Sequence, residues 1–493
     1  MSEAEAKPTP SNRKFYLLVA VFLLAAVGVG MLSLKMGAAS VAEWKAEMKA
    51  KGERLTVAEL LRAHPPAATN RLAELTALTS VLDRKLLLDG AFITLLPLGN
   101  GHARPVWMGS NFTMLANTVW NYNRLVSADT NTYQWEQLAA RLAEEELTLA
   151  QLRAMLVIPD RDVGWNFVFG TSYPKASVAK RTIQLWLEAA HALHLHSGQP
   201  LAADADLTTL LQLLTWHSED FTLEAQLFRA SMGVQTLHVT WSALQAPGVS
   251  AEQLAAYQTR WEKLTVLPAL TRALEFQRAG MSDMIEHGRQ GGFTPSIGGP
   301  SVTRWDRLAF WTKHYTWMKL TADGDQLFYL RHIQGQLEAL RRLAKEHSWT
   351  VAEPLLTTNA AELRQLDTWQ GQLKSMSTAA AMDFRDCARL VTHYEAHREL
   401  TIAALALERF RRKHGRHPDS LAQLMPEFLP AVPVDWMDGQ PLRYRLNTDG
   451  TFELWSVGDD FKDDGGDASG PPVNMRRNDI WEGRDAVWPR LPP

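Results

Sequence analysis

Along most of the chain apolar residues recur every three or four positions, the period of a helix with one buried face. Leu254, Tyr257, Trp261 and Leu264 form the clearest stripe. It follows Ser250 and Gln253, whose spacing predicts a reciprocally capped helix start. The same signature, Ser or Thr followed three residues later by Glu or Gln and then Leu, predicts starts at Thr56/Glu59/Leu60, Thr148/Gln151/Leu152 and Ser420/Gln423/Leu424. Their uneven spacing matches none of the common solenoid periods. Pro and Gly break the pattern at His64 to Pro66, Pro97 to Pro105, Ile158 to Asp162 and Gly288 to Pro300. The last break is Gly-rich, but it lacks the Gly-Lys-Ser/Thr and the preceding strand of a phosphate loop, so it reads as a connector. Helical spacing returns from Arg304 to Lys345 and from Ala360 to Lys413, and residues 35 to 413 read as α-helical.

Ahead of this body, Phe15 to Leu34 runs for twenty residues without a charge. As a helix it spans about 30 Å, the thickness of a bilayer core. A cleaved leader ending near Ser40-Val41-Ala42 is the rival reading, although the run exceeds the usual signal core. Arg13 and Lys14 abut the run on one side and Lys35 on the other. Charge alone does not orient the span, and large domains translocate largely regardless of it. The expected arrangement is a cytoplasmic tail over 1–14, a single inner-membrane span over 15–34, and the bulk of a bacterial envelope protein in the periplasm.

At the other end a long helix meets Gly415, suited to a C-cap, and Pro418 follows. A short helix is predicted from Ser420 to Leu429. Two strand-like runs come next, Leu442 to Leu446 and Thr451 to Val457, joined by the turn Asn447-Thr448-Asp449-Gly450. The Asp-rich stretch GDDFKDDGGD closes the series. The fold class expected is therefore mainly α, with an N-terminal transmembrane helix and a small C-terminal α+β module. Its domains are a helical body over 35–380, with a subdivision near 288–300, a long helix plus module over 381–485, and a tail over 486–493.

The stretch RHPDSLAQLMPEFLPAVPVDWMDGQPLRYR, then FELWSVGDD and Asn478-Asp479-Ile480-Trp481, resembles the globular end of the major pseudopilin of type II secretion systems. The whole chain resembles a family of large membrane-anchored proteins from planctomycete and verrucomicrobial bacteria that end in such a module. The shared stretches are KGERLTVAELLRAHPP, the helical hairpins from Leu207 to Glu286, and ALALERFRRKHGRHPDSL. The resemblance implies a fold and no established activity. Asn12-Arg13-Lys14-Phe15-Tyr16 has neither the prepilin-peptidase site nor the early glutamate of a working pseudopilin, so assembly into a pseudopilus is not expected.

Composition adjusts this picture in three places. The 51 Lys+Arg and 54 Asp+Glu leave a net charge of -3 with no basic domain, which gives no reason to expect nucleic acid as a partner. Cys387 is the single cysteine, so neither an internal disulfide nor a cysteine zinc site is available. Eighteen Trp serve either as packing between helices or as stacking surfaces for sugars.

Candidate chemistry is sparse. Asp459, Asp460, Asp463, Asp464 and Asp467 are hard oxygen ligands among turn glycines, as calcium prefers, without EF-hand spacing. A solvated acidic turn is the other reading. The pseudopilin resemblance implies a structural calcium held between this loop and a later Asp, which puts Asp460 and Asp479 first. His393 and His397 lie four apart around Glu395, but His-Tyr-Glu-Ala-His is not the zinc-protease order. The bland reading is two surface or packing histidines, and His191, His194 and His196 likewise read as helix-surface residues. Cys387, among Arg385, Asp386 and Arg389, reads first as an ordinary helix residue, with thiolate activation by the arginines as the lesser alternative. No catalytic residue or organic cofactor is assigned. The expected function is a non-enzymatic bitopic scaffold presenting its module to protein partners. The alternative is an envelope hydrolase or carbohydrate-binding protein that uses Trp stacking and acidic residues.

Overall fold

A computed structural model describes residues 39–64, 71–82, 92–99, 101–108, 135–158, 173–216, 220–289, 303, 317, 321–365, 383–469, 481 and 484–491. The chain is mainly helical, as the periodicity predicts, and it divides into two units. The predicted membrane segment Phe15–Leu34, the connector over 290–300 and Asp479 lie outside the described residues.

The first unit comprises Met1–Leu60, Arg278–Gln334 and Ala360–Met382. Val41, Trp44 and Met48, on one face of the helical residues 39–50, bury with Leu55 against Leu330. Arg278 is fully buried, and its Nη2 donates to Glu53 Oε2 at 3.0 Å and to the Arg54 carbonyl at 2.8 Å. Gln334 Nε2 donates to the other oxygen of Glu53 at 3.1 Å, so the buried charge has its partners. The capping pair predicted at Thr56 is formed. Glu59 accepts from the Leu55 and Thr56 amides, and Thr56 Oγ1 accepts from Glu59 N.

The second unit comprises Leu61–Gln277, Gly335–Asn359 and Asp383–Pro493. Among the described residues, after the helical residues 39–50, the helices in chain order are α1 (Val57–Ala63), α2 (Leu72–Val81), α3 (Trp135–Glu144), α4 (Glu146–Leu156), α5 (Tyr173–His196), α6 (Pro200–Thr215), α7 (Leu223–Gln245), α8 (Ala251–Glu262), α9 (Leu267–Arg289), α10 (Ala322–Glu346), α11 (Trp349–Gln365) and α12 (Arg385–His414). Some of these helices extend across the unit boundaries. Helices α5 and α6 form a hairpin through Gly198, whose φ of 67° is the left-handed conformation that glycine adopts freely, and Pro200 opens α6. The Ser250/Gln253 capping box opens α8, and Leu254, Tyr257, Trp261 and Leu264 are all fully buried.

Two predicted helix starts move. Helix α4 begins at Glu146, and Thr148 lies inside its first turn with its hydroxyl donating to Glu145. Burial of Leu149, Leu152, Met155 and Leu156 sets that register. At Ser420 the side chain makes no cap. Gln423 accepts from the Asp419 amide instead, and only a 3-10 turn forms, Leu421–Leu424, with Pro426 close behind.

A second correction concerns the stretch read as a Pro/Gly break inside helical territory. It is a β-hairpin, β1 (Phe92–Gly99) and β2 (His102–Met108), turning through Gly101. Pro97 and Pro105 forbid a regular helix there, and Ile93, Thr94 and Val106 favour extended backbone. Gly101 has φ 71°, and a Cβ there would lie 2.6 Å from Val487. The C-terminal segment docks on this turn: Arg490 N donates to the Gly101 carbonyl at 2.6 Å, and Trp241 Nε1 donates to the Pro489 carbonyl at 2.8 Å.

The predicted C-terminal hairpin forms as β3 (Arg443–Leu446) and β4 (Phe452–Ser456), closed by the Asn447–Gly450 turn. Strand β5 (Ala486–Val487) pairs antiparallel with β4, giving a three-stranded sheet ordered β3-β4-β5.

Helices α7 and α12 approach closely at Gly233, where an added Cβ would sit 2.3 Å from the Tyr394 ring. Gly233→Ala therefore destabilises the protein by about 1–3 kcal/mol in urea unfolding. Gly324→Ala, at a helical site with open space, is neutral or mildly stabilising in the same measurement.

Candidate functional site

Helix α12 is buried along most of its length and ends at Gly415 in the left-handed conformation, the predicted C-cap. Its polar residues decide where the side chains of interest point. Glu395 is fully buried. Its Oε1 accepts from Thr265 Oγ1 at 2.7 Å, Val266 N at 2.6 Å and Leu267 N at 3.0 Å, and its Oε2 accepts from Arg398 Nε at 2.8 Å. Glu395 thus caps the first turn of α9 from another helix. Burial acts to lower the Arg398 pKa, but Glu395 and Glu399 together hold it above the ordinary value.

Glu395 points away from the histidine pair. His393 stacks on Trp481 with ring centroids 4.2 Å apart, and its Nε2 lies 2.7 Å from Asp459 Oδ1. Trp481 in turn donates its indole N–H to His397 Nδ1 at 3.4 Å. Burial holds His397 well below the ordinary imidazole range and brings neighbouring His238 down to about 4. With His397 Nδ1 accepting from an indole and His393 facing a carboxylate, the two rings both pack on one tryptophan, Trp481. The bland reading is the one this geometry supports. The arrangement also joins two features that the sequence keeps apart, the histidine pair and the Asp-rich loop.

Within that loop the carboxylates of Asp460, Asp463 and Asp467 each accept from a separate backbone amide close in sequence. Asp460 Oδ1 accepts from Lys462 N at 3.1 Å. Asp463 Oδ1 accepts from Trp455 Nε1 at 3.0 Å and from Gly465 N at 3.1 Å. Asp467 Oδ1 accepts from Ser469 N at 2.9 Å. Asp464 contributes its amide, donated to Asp485 at 3.3 Å. Among the described residues no group of three or more His, Cys, Asp or Glu side chains comes together to hold a metal ion.

No family model, curated protein or solved structure matches the chain. Its chemistry therefore rests on the geometry alone.

Sequence reading missed a buried polar stripe on α5. Arg181, Gln184, Glu188 and His191 follow helical spacing, and each is at least nine-tenths buried. His191, expected on the surface, is interior: its Nδ1 lies 2.8 Å from the Ala203 carbonyl, and burial lowers its pKa. His194 is partly buried with its Nδ1 2.7 Å from Asp206 Oδ2, and His196 stacks on Trp135 at 3.9 Å. Polar residues recurring three, four and three positions apart along the helix were the available signal. Cys387 is buried, and burial together with Asp386 pushes its thiol up to about 11, so it is not an activated thiolate.

Glu188 carries a pH dependence. Burial raises its carboxyl from 4.5 to about 7, against the pull of Arg181, so the folded chain takes up a proton that the unfolded chain releases. That contribution is fully present below the unfolded value near 4.5 and is lost as pH rises through about 7. Urea unfolding at pH 5 and pH 8 should show Glu188→Gln gaining stability relative to the parent at the higher pH, by up to about 3 kcal/mol. Parallel pH profiles for the two chains would contradict this assignment.

Proposed function

We propose that the chain is a non-enzymatic scaffold of the bacterial envelope, anchored by Phe15–Leu34, whose helical body presents the C-terminal α+β module to protein partners. The observation that carries this reading is the use of tryptophan. Of the twelve Trp whose surroundings are described, eleven are buried, and Trp135 is partly so. Several of their indole N–H groups bond inside the body: Trp216 to the Ile158 carbonyl, Trp241 to the Pro489 carbonyl and Trp261 to Thr240. Indoles used in this way are seams of a body and offer sugars no stacking platform, which weighs against the hydrolase or carbohydrate-binding alternative.

The module's order of helix, hairpin and acidic loop supports the pseudopilin-like reading, and its exposed turn over 448–450, with Arg445 and Lys462, gives a polar surface for contact. The anchor is supported by the uncharged run in the sequence; among the described residues no helix is long and apolar enough to cross a membrane. Amine crosslinking in cells, followed by purification of the tagged full chain and mass spectrometry, tests the proposal. Crosslinks from Lys462 and Lys413 to other envelope proteins are expected, with secretion or pilus-like components the partners to look for. A chain recovered with no crosslink at the module, and active on envelope polysaccharide, would sink it.

A further inference from the structure

The pseudopilin resemblance implies a calcium ion held by the Asp-rich loop, and the residues described there do not fit one. Calcium needs six to eight oxygens turned inward on a common centre. Here the loop turns amide N–H groups inward. Gly466 N and Asp467 N donate to Asp485 Oδ2 at 2.8 and 3.1 Å, and Asp464 N donates to Oδ1 at 3.3 Å. Gly465 and Gly466, at φ 74° and 83°, supply the left-handed turn that brings these amides together. The loop's own carboxylates spread to separate partners, Asp459 to His393, Asp463 to Trp455 and Asp467 to Ser469.

We propose that the loop is closed from within by the carboxylate of Asp485, in the role a cation would otherwise fill, and that this module folds without calcium. Asp485 is suited to the role because it is itself fixed. It is fully buried, its amide donates to the Asp467 carbonyl at 2.9 Å, and the adjacent Arg484 amide donates to Ser469 at 3.0 Å. The segment then enters β5, paired with β4 through Ser456↔Ala486. Gly458 completes the fit, since a Cβ there would lie 2.8 Å from the Arg484 carbonyl. Burial pushes the Asp485 carboxyl above its ordinary range, and the three amides act against that shift. A buried anion that gathers N–H donors organises a loop as firmly as a cation that gathers oxygens.

Hydrogen exchange read by mass spectrometry on the full chain tests this at peptide level. The segment over 458–469 should be as protected in EGTA as in millimolar calcium chloride. Asp485→Asn, which sets an amide group among N–H donors, should speed exchange there about tenfold or more, whereas Asp460→Asn leaves it unchanged. Calcium-induced protection of the parent chain would overturn the proposal, as would a segment still fully protected in Asp485→Asn.

Discussion

Glu395 carries its carboxylate into the interior of the larger unit, where one oxygen gathers the Thr265 hydroxyl and the Val266 and Leu267 amides and the other takes the Arg398 guanidinium. A carboxylate out of water is tolerable only when its lone pairs are used, and here they are. Neighbouring bonds reinforce the same junction: Tyr394 OH donates to the Leu264 carbonyl at 2.5 Å, and Arg398 reaches the Trp261 carbonyl at 3.4 Å. The chain between α8 and α9 is therefore held by one face of α12. Gly233 lets α7 close against Tyr394 on the same helix.

The C-terminal module depends on that spine. Gln258 on α8 donates to the Phe428 carbonyl at 2.8 Å and accepts from Arg409 of α12 at 2.7 Å, so the module's first turn is tied to two helices. Asp435 does the equivalent inside the module, accepting from Met437 N, Ser456 Oγ and Val457 N while paired with Arg443. Asp485 repeats the device a third time in the acidic loop. Buried carboxylates that collect backbone amides recur in this unit where loops meet regular elements, and they leave the tryptophans free to fill volume.

Local features were legible in the sequence because their causes are local. The capping pairs at Thr56 and Ser250, the Asn447–Gly450 turn and the Gly415 cap all depend on residues within a few positions of each other. Where distant packing decides, the sequence was mute. Nothing near His-Tyr-Glu-Ala-His announces that Glu395 serves amides 128 and 129 residues away, or that His393 meets Asp459 across 66. The hairpin Phe92–Met108 was hidden for a different reason: its prolines marked a break, and its β-branched residues were too few to declare strands. The partners of the acidic loop were hidden for the same reason as those of Glu395: Asp459 meets His393 on a distant helix, and the loop amides meet Asp485 some twenty residues on.

Urea unfolding of Glu395→Ala, followed by far-ultraviolet circular dichroism, tests the central claim most directly. Loss of the carboxylate leaves the Val266 and Leu267 amides buried without their acceptor and strips the buried Arg398 of one of its two carboxylate partners, Glu399 remaining at 2.6 Å. The account predicts destabilisation of about 3–5 kcal/mol. A loss below about 1 kcal/mol, the range of an exposed ion pair, would contradict it.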